Sequence, residues 1–109
     1  MSLSRFFLCG WLVQTLVLTA QAAAPFGKGE ITVGEKEEAV RVFTYKPKTF
    51  SNGPVLFVFH GMKRNAEEYR DYAMPLADRQ GAMVAAPLFD TNRFASHLYP
   101  RGGIFRKDG

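Results

Sequence analysis

The sequence predicts an α/β protein in which a β-hairpin precedes a βαβ unit, and three observations carry that expectation. Val55-Leu56-Phe57-Val58-Phe59 is a run of apolar residues, mostly β-branched or aromatic, as a strand covered on both faces of a parallel sheet requires. Tyr69, Tyr72, Ala73, Leu76 and Ala77 recur at the spacing of one helix face. Ala82-Met83-Val84-Ala85-Ala86 before Pro87 is a second short apolar run, so strand, helix and strand succeed one another over residues 55–86 with the parallel crossover such units take.

A chain of 109 residues with 47% hydrophobic and 22% charged side chains is neither disordered nor of low complexity, and it holds one domain at most. Residues 1–22 read as a secretory signal: Arg5 is the basic start, Phe6 to Leu18 the apolar run, and Ala20-Gln21-Ala22 the small-residue cleavage pattern. Cleavage is expected after Ala22, because Pro25 disfavours a later site, and the product is expected in the periplasm or outside the cell. The apolar run is short of the roughly 20 residues of a membrane-spanning helix. Counting on to Ala24 approaches that length, and an uncleaved anchor is the alternative. Cys9 lies at the start of the run, away from any lipidation position, and leaves with the signal. Residues 23–109 then carry no disulfide and no stable membrane attachment. A net charge of +4 with interleaved signs argues against nucleic acid as a partner.

The elements follow in order. Ile31-Thr32-Val33 is the first strand of the hairpin and Gly34 to Glu38 its charged turn. Ala39 to Tyr45 is the second strand, with Val40, Val42 and Thr44 on one face and Arg41, Phe43 and Tyr45 on the other. Lys46 to Pro54 is a turn-rich connection. After Val55–Phe59 comes the loop His60-Gly61-Met62-Lys63-Arg64. Asn65 and Glu68 form a capping-box pattern that starts a helix running to about Gln80, with Glu67, Arg70, Asp71, Asp78 and Arg79 pointing outward. Pro75 predicts a kink near Ala73 and Met74, or two short helices in series. Gly81 supplies the stop. Beyond Leu88 the apolar residues Phe89, Phe94, Leu98, Tyr99, Ile104 and Phe105 follow no period. The sheet is therefore expected to be incomplete, with the Val55–Phe59 edge open to self-association.

A hairpin, a hydrophobic strand ending in His60-Gly61, a loop, a capped helix and a strand ending Val84-Ala85-Ala86-Pro87 resemble the opening of an α/β-hydrolase domain over residues 39–90. The likeness is greatest to the secreted esterase and poly(3-hydroxybutyrate) depolymerase-like branch, and extends to the dienelactone hydrolases and prolyl-peptidase-like domains. The resemblance implies that residues 23–109 are the N-terminal portion of such a domain, and that the complete enzyme is a serine hydrolase acting on a carboxylic ester or polyester. It also implies that the Met62 backbone N–H is an oxyanion-hole donor, with His60 and Gly61 shaping the loop. A physical reason stands beside the family one: a loop leaving a parallel strand for a helix N-terminus gathers unpaired amides and the positive end of the helix dipole. The His60 side chain reads as a hydrogen-bonded shoulder of the sheet that does not touch substrate. Lys63 and Arg64 read as solvated, with a bias towards anionic substrates as the other reading.

The nucleophile is missing. The only serines after residue 22 are Ser51 and Ser96, and Thr49 and Phe94 stand where a Gly-x-Ser-x-Gly elbow needs its first glycine. Asp90, Ser96 and His97 are the residue types of a catalytic triad, but adjacent side chains such as Ser96 and His97 point apart, and a polar loop is the expectation. No catalytic nucleophile, acid or base is therefore expected in this chain, which alone should be inactive. Two isolated histidines make no metal site, Gly102-Gly103 makes no dinucleotide fingerprint, and no cofactor is expected. The alternative function is a noncatalytic truncated product serving as a small envelope or binding protein.

Overall fold

The computed structural model describes residues 23–101; the expected signal segment with Cys9, the expected cleavage after Ala22, and residues 102–109 lie outside the described residues. The hairpin consists of β1 (Gly27–Val33) and β2 (Val40–Lys46), antiparallel, with Gly27 opposite Lys46 and Val33 opposite Val40. β1 starts earlier than its β-branched residues indicate: Gly27, at a φ of 78° that glycine adopts without strain, pairs with Lys46, and Lys28 and Gly29 pair with Tyr45 and Thr44, so partners on β2 rather than propensity set its start. The connection contains a single 3-10 turn, Lys36–Glu38. Val42 and Thr44 are buried, as the alternation predicts, while Arg41 is exposed and donates across the hairpin to Glu30 at 2.7 Å. That bond holds the Glu30 carboxyl below its ordinary range and the Arg41 guanidinium above its own.

β3 (Val55–Phe57), α1 (Ala66–Gln80) and β4 (Met83–Pro87) complete a mixed four-stranded sheet of order β1-β2-β4-β3. β3 and β4 are adjacent and parallel, with Val55 opposite Met83 and Phe57 opposite Ala85, so the βαβ unit stands where the sequence predicts it. β4 joins it to the hairpin by pairing antiparallel with β2. The expectation of a five-residue strand covered on both faces is corrected. β3 is a three-residue strand at the edge of the sheet formed by the described residues, with Phe57 54% exposed, and Phe59 beyond it is 59% exposed, whereas every residue of β4 is buried. Apolar composition reports a preference for burial, and strand order decides which of two such runs gains a neighbour on each side.

α1 is continuous over 15 residues with Pro75 inside it, so two helices in series do not form. Proline forfeits one backbone bond there, and packing on the sheet maintains the helix across it. Gly81 ends it at φ 61°, ψ 32°, donating its N–H to the Ala77 carbonyl, the left-handed stop expected of glycine. Two local readings are corrected. Asn65 makes no side-chain cap; its Nδ2 instead donates to Glu68 Oε2 at 2.8 Å. The inward residues are Ala66, Arg70 and Ala77, while Tyr72 is 72% exposed. Arg70 lies in the seam between helix and hairpin, donating to Asp71 Oδ1 at 2.9 Å, Glu67 Oε1 at 3.2 Å and the Gly29 carbonyl at 3.4 Å. A long apolar stem with a satisfied head makes arginine a tolerable seam residue, which a count of charges misses.

Candidate oxyanion site at the carboxyl end of the parallel strands

β3 leads through Phe59 into a loop that the chain locks from several sides. The Arg64 N–H donates to the Gly61 carbonyl at 3.1 Å and closes a β-turn with Met62 and Lys63 at its centre. Among the described residues no hydrogen bond takes the Met62 N–H, and the Met62 side chain is half exposed. A Cβ on Gly61 would meet nothing nearer than the Tyr69 hydroxyl at 3.5 Å, so the described packing itself does not require glycine there.

Arg64 closes the turn in the left-handed region, at φ 58°. Its guanidinium donates from Nη1 to the Phe89 carbonyl at 2.7 Å and from Nη2 to the Phe94 carbonyl at 2.8 Å, and lies 4.1 Å over the Tyr99 ring. This corrects the reading of Arg64 as a solvated charge or an attractor for anions: Nη1 and Nη2 donate into the loop that follows β4, and Nε is buried without a hydrogen-bond partner among the described residues. Lys63 is exposed.

His60 sits beneath the turn, 3% exposed. Its Nε2 accepts the Phe89 N–H at 2.9 Å, which assigns the ring proton to Nδ1, 2.8 Å from the Gly61 carbonyl. The Tyr99 hydroxyl donates to the His60 carbonyl, and its ring stacks on the imidazole with centroids 5.1 Å apart. Burial pushes the Tyr99 phenol above its ordinary range, with the Arg64 charge pulling against it. Phe94 meets Phe89 edge to face, with centroids 5.0 Å apart. The residues beyond β4 thus form an aromatic clamp on the β3 turn. Sequence reasoning missed it, because Phe89, Phe94 and Tyr99 recur every five positions, a spacing that belongs to no helix or strand.

The structure does not bring Asp90, Ser96 and His97 together as a triad. Asp90 Oδ1 accepts the Asn92 and Arg93 N–H groups at 2.9 and 3.1 Å, a local turn, while Ser96 and His97 are exposed and share no hydrogen bond among the described residues. A cleft of about 480 Å³ lined by Phe26, Tyr45, Lys46 and Asp78 lies at the other end of the sheet, by the Lys46 end of β2. Met62 instead lies where ligands bind open α/β sheets, beyond the carboxyl ends of the parallel strands.

A mixed sheet with a parallel β3-α1-β4 unit, antiparallel to a preceding hairpin, is part of a fold of the α/β-hydrolase type. Two solved structures make the likeness specific. A poly(3-hydroxybutyrate) depolymerase from Bordetella parapertussis superimposes with a TM-score of 0.67 at 30% identity, over 78% of this chain and 31% of that one. Poly(aspartic acid) hydrolase-1 from Sphingomonas sp. KT-1 superimposes with a TM-score of 0.62 at 28% identity, over 69% of this chain and 29% of that one. The chain therefore spans less than a third of the length of either, and the depolymerase-like resemblance holds for that part. No family model matches the sequence, and no curated protein matches it.

Proposed function

We propose that the His60–Arg64 turn supplies one half of an oxyanion hole in an exported serine-hydrolase-type enzyme that cleaves carboxylic esters, polyesters included. The observation that carries this reading is the unengaged Met62 amide, centred in a braced turn between β3 and the N-terminus of α1. In the reaction, a serine oxygen bonds to the ester carbonyl carbon as its proton passes to a base. The carbonyl oxygen becomes an oxyanion, and Met62 N–H donates to it. Collapse expels the alcohol, and water then releases the acyl group. The nucleophile, acid, base and second donor come from outside these residues, since no Gly-x-Ser-x-Gly stands here. Residues 23–109 are on this reading the N-terminal part of the domain, and residues 1–22 the signal that exports it. The hydrolase and depolymerase names of the similar structures support the reaction class.

The 109-residue chain should not hydrolyse a chromogenic short-chain ester above background. Turnover that disappears in Ser96→Ala would overturn the assignment. If the reading frame continues into a Gly-x-Ser-x-Gly segment, Met62→Pro in that longer protein should lower kcat by about 10²- to 10³-fold. Proline fits the second position of a turn, so the amide is lost and the turn kept. An unchanged kcat would remove Met62 from the site. Amino-terminal sequencing of exported protein should begin at Ala23.

A further inference from the structure

We propose that the Ala22–Ala23 bond is open to its peptidase only before the hairpin folds: once β1 and β2 pair, Ala24, Pro25 and Phe26 dock on them and shield the junction. The proposal rests on the reading of residues 1–22 as a cleavable export signal. Three contacts hold the segment that follows the bond. Ala24 is 4% exposed, and its carbonyl accepts a hydrogen bond from Lys46 Nζ, at the end of β2, at 3.4 Å. The Pro25 ring fills the space beside Gly29 of β1, where a Cβ would lie 2.8 Å from Pro25 Cδ and 3.1 Å from the Thr44 hydroxyl oxygen. Phe26 turns the face of its ring to the Lys46 ammonium, with Nζ 4.7 Å from the centroid. Gly29 pairs with Thr44 and Gly27 with Lys46, so this docking surface exists only once the hairpin has closed.

The short tether gives this docking its consequence. A fully extended chain advances about 3.6 Å per residue, so the Ala22 Cα stands at most about 7 Å from the Cα of the docked Ala24. A peptidase that reads the small residues Ala20 and Ala22 grips an extended chain on both sides of the bond. Its walls would enter the space that the hairpin fills. Cutting the folded chain therefore requires Ala24, Pro25 and Phe26 to leave Lys46 and Gly29 first, and the rate falls with the population of that opened state. Before the hairpin closes, the same residues have nothing to dock on. Export and cleavage then precede hairpin closure, and a chain that folds with its leader attached keeps it longer.

The test compares three full-length chains in detergent micelles with a purified signal peptidase, the cut being followed by mass spectrometry and the fold by circular dichroism. The first is the unaltered chain. The second, Val84→Asp, puts a charge at a position of β4 that is 0% exposed, and unfolds the domain without touching the junction. The third carries a flexible Gly-Ser-Gly-Ser insertion between Ala23 and Ala24, which moves the bond away from the hairpin and leaves every docked residue in place. The Val84→Asp and insertion chains should be cut at similar rates, each about tenfold or more faster than the unaltered chain. Equal rates for the unaltered chain and Val84→Asp would overturn the proposal. So would an unaltered chain that is cut slowly and is not cut faster with the insertion. The insertion decides the matter if Val84→Asp aggregates. No cut at Ala22–Ala23 in any of the three would instead remove the export signal itself, and the proposal with it.

Discussion

His60 Nε2 accepts the backbone N–H of Phe89 at 2.9 Å, so a single imidazole ties the loop after β3 to the loop after β4. The ring is 3% exposed, and water does not readily replace it. His60→Ala should leave the Phe89 donor buried without a partner and cost about 1–3 kcal/mol. That corresponds to a fall in Tm of about 4 °C or more for a domain of this size. Thermal unfolding followed by circular dichroism measures it, and an unchanged Tm would show that the imidazole bond is dispensable.

Arg64 sets two effects against each other. Glycine at this position would relieve a left-handed backbone that costs roughly 1–2 kcal/mol for other residues. It would also lose two guanidinium bonds to the Phe89 and Phe94 carbonyls, each worth about 1.5–3 kcal/mol because the donor is charged. Arg64→Gly should therefore destabilise, by about 1–5 kcal/mol in urea unfolding. Stabilisation would mean that backbone strain outweighs the clamp.

Gly61 should behave differently in folding and in catalysis. Nothing in the described packing opposes a methyl group there, so Gly61→Ala should change unfolding free energy by no more than about 0.5 kcal/mol. In an active protein containing this turn, the same change should lower kcat/KM for esters, because the backbone must approach the reacting carbonyl closely. Equal activity would remove glycine from the site argument.

Tyr99 predicts an alkaline transition. Its phenol is raised above its ordinary range chiefly by burial, so the folded chain holds that proton longer than the unfolded chain does. The resulting stability is complete below the ordinary tyrosine pKa of about 10 and is lost as pH rises through the folded value. Tyr45 is also raised, first by its hydrogen bond to Asp78 and then by burial. The drop in stability above about pH 10 should therefore shrink in Tyr99→Phe and nearly vanish in Tyr45→Phe/Tyr99→Phe. A profile identical in all three would count against the coupling.

Arg70→Met should be milder than Arg70→Ala in chemical denaturation. The methionine retains the apolar stem in the seam with the hairpin and forfeits only the bonds to Glu67, Asp71 and Gly29. Alanine opens a cavity as well, with a total cost of about 2–4 kcal/mol. Equal losses in the two variants would mean that the guanidinium alone matters.

The sequence by itself determined the elements and their kinds. Alternation marked β2, helical spacing with Gly81 bounded α1, and two apolar runs flanking that helix announced parallel β3 and β4. Each of these signals is local: a side chain's face and a glycine's left-handed stop depend on the few residues around them. It also placed the His60–Arg64 turn at the carboxyl end of β3, where the candidate site stands.

Only the tertiary structure decided the rest. Strand order put β4 between β2 and β3 among the described residues, because pairing with β2 depends on residues about forty positions apart and not on how apolar either run is. Arg70 became a seam residue because Phe43, Gly29 and two helix carboxylates converge on it. Arg64 and His60 became braces because Phe89, Phe94 and Tyr99, which fit no periodic pattern, fold back across the β3 turn. Such contacts join distant parts of the chain, and their energy exists only once the sheet has brought those parts together.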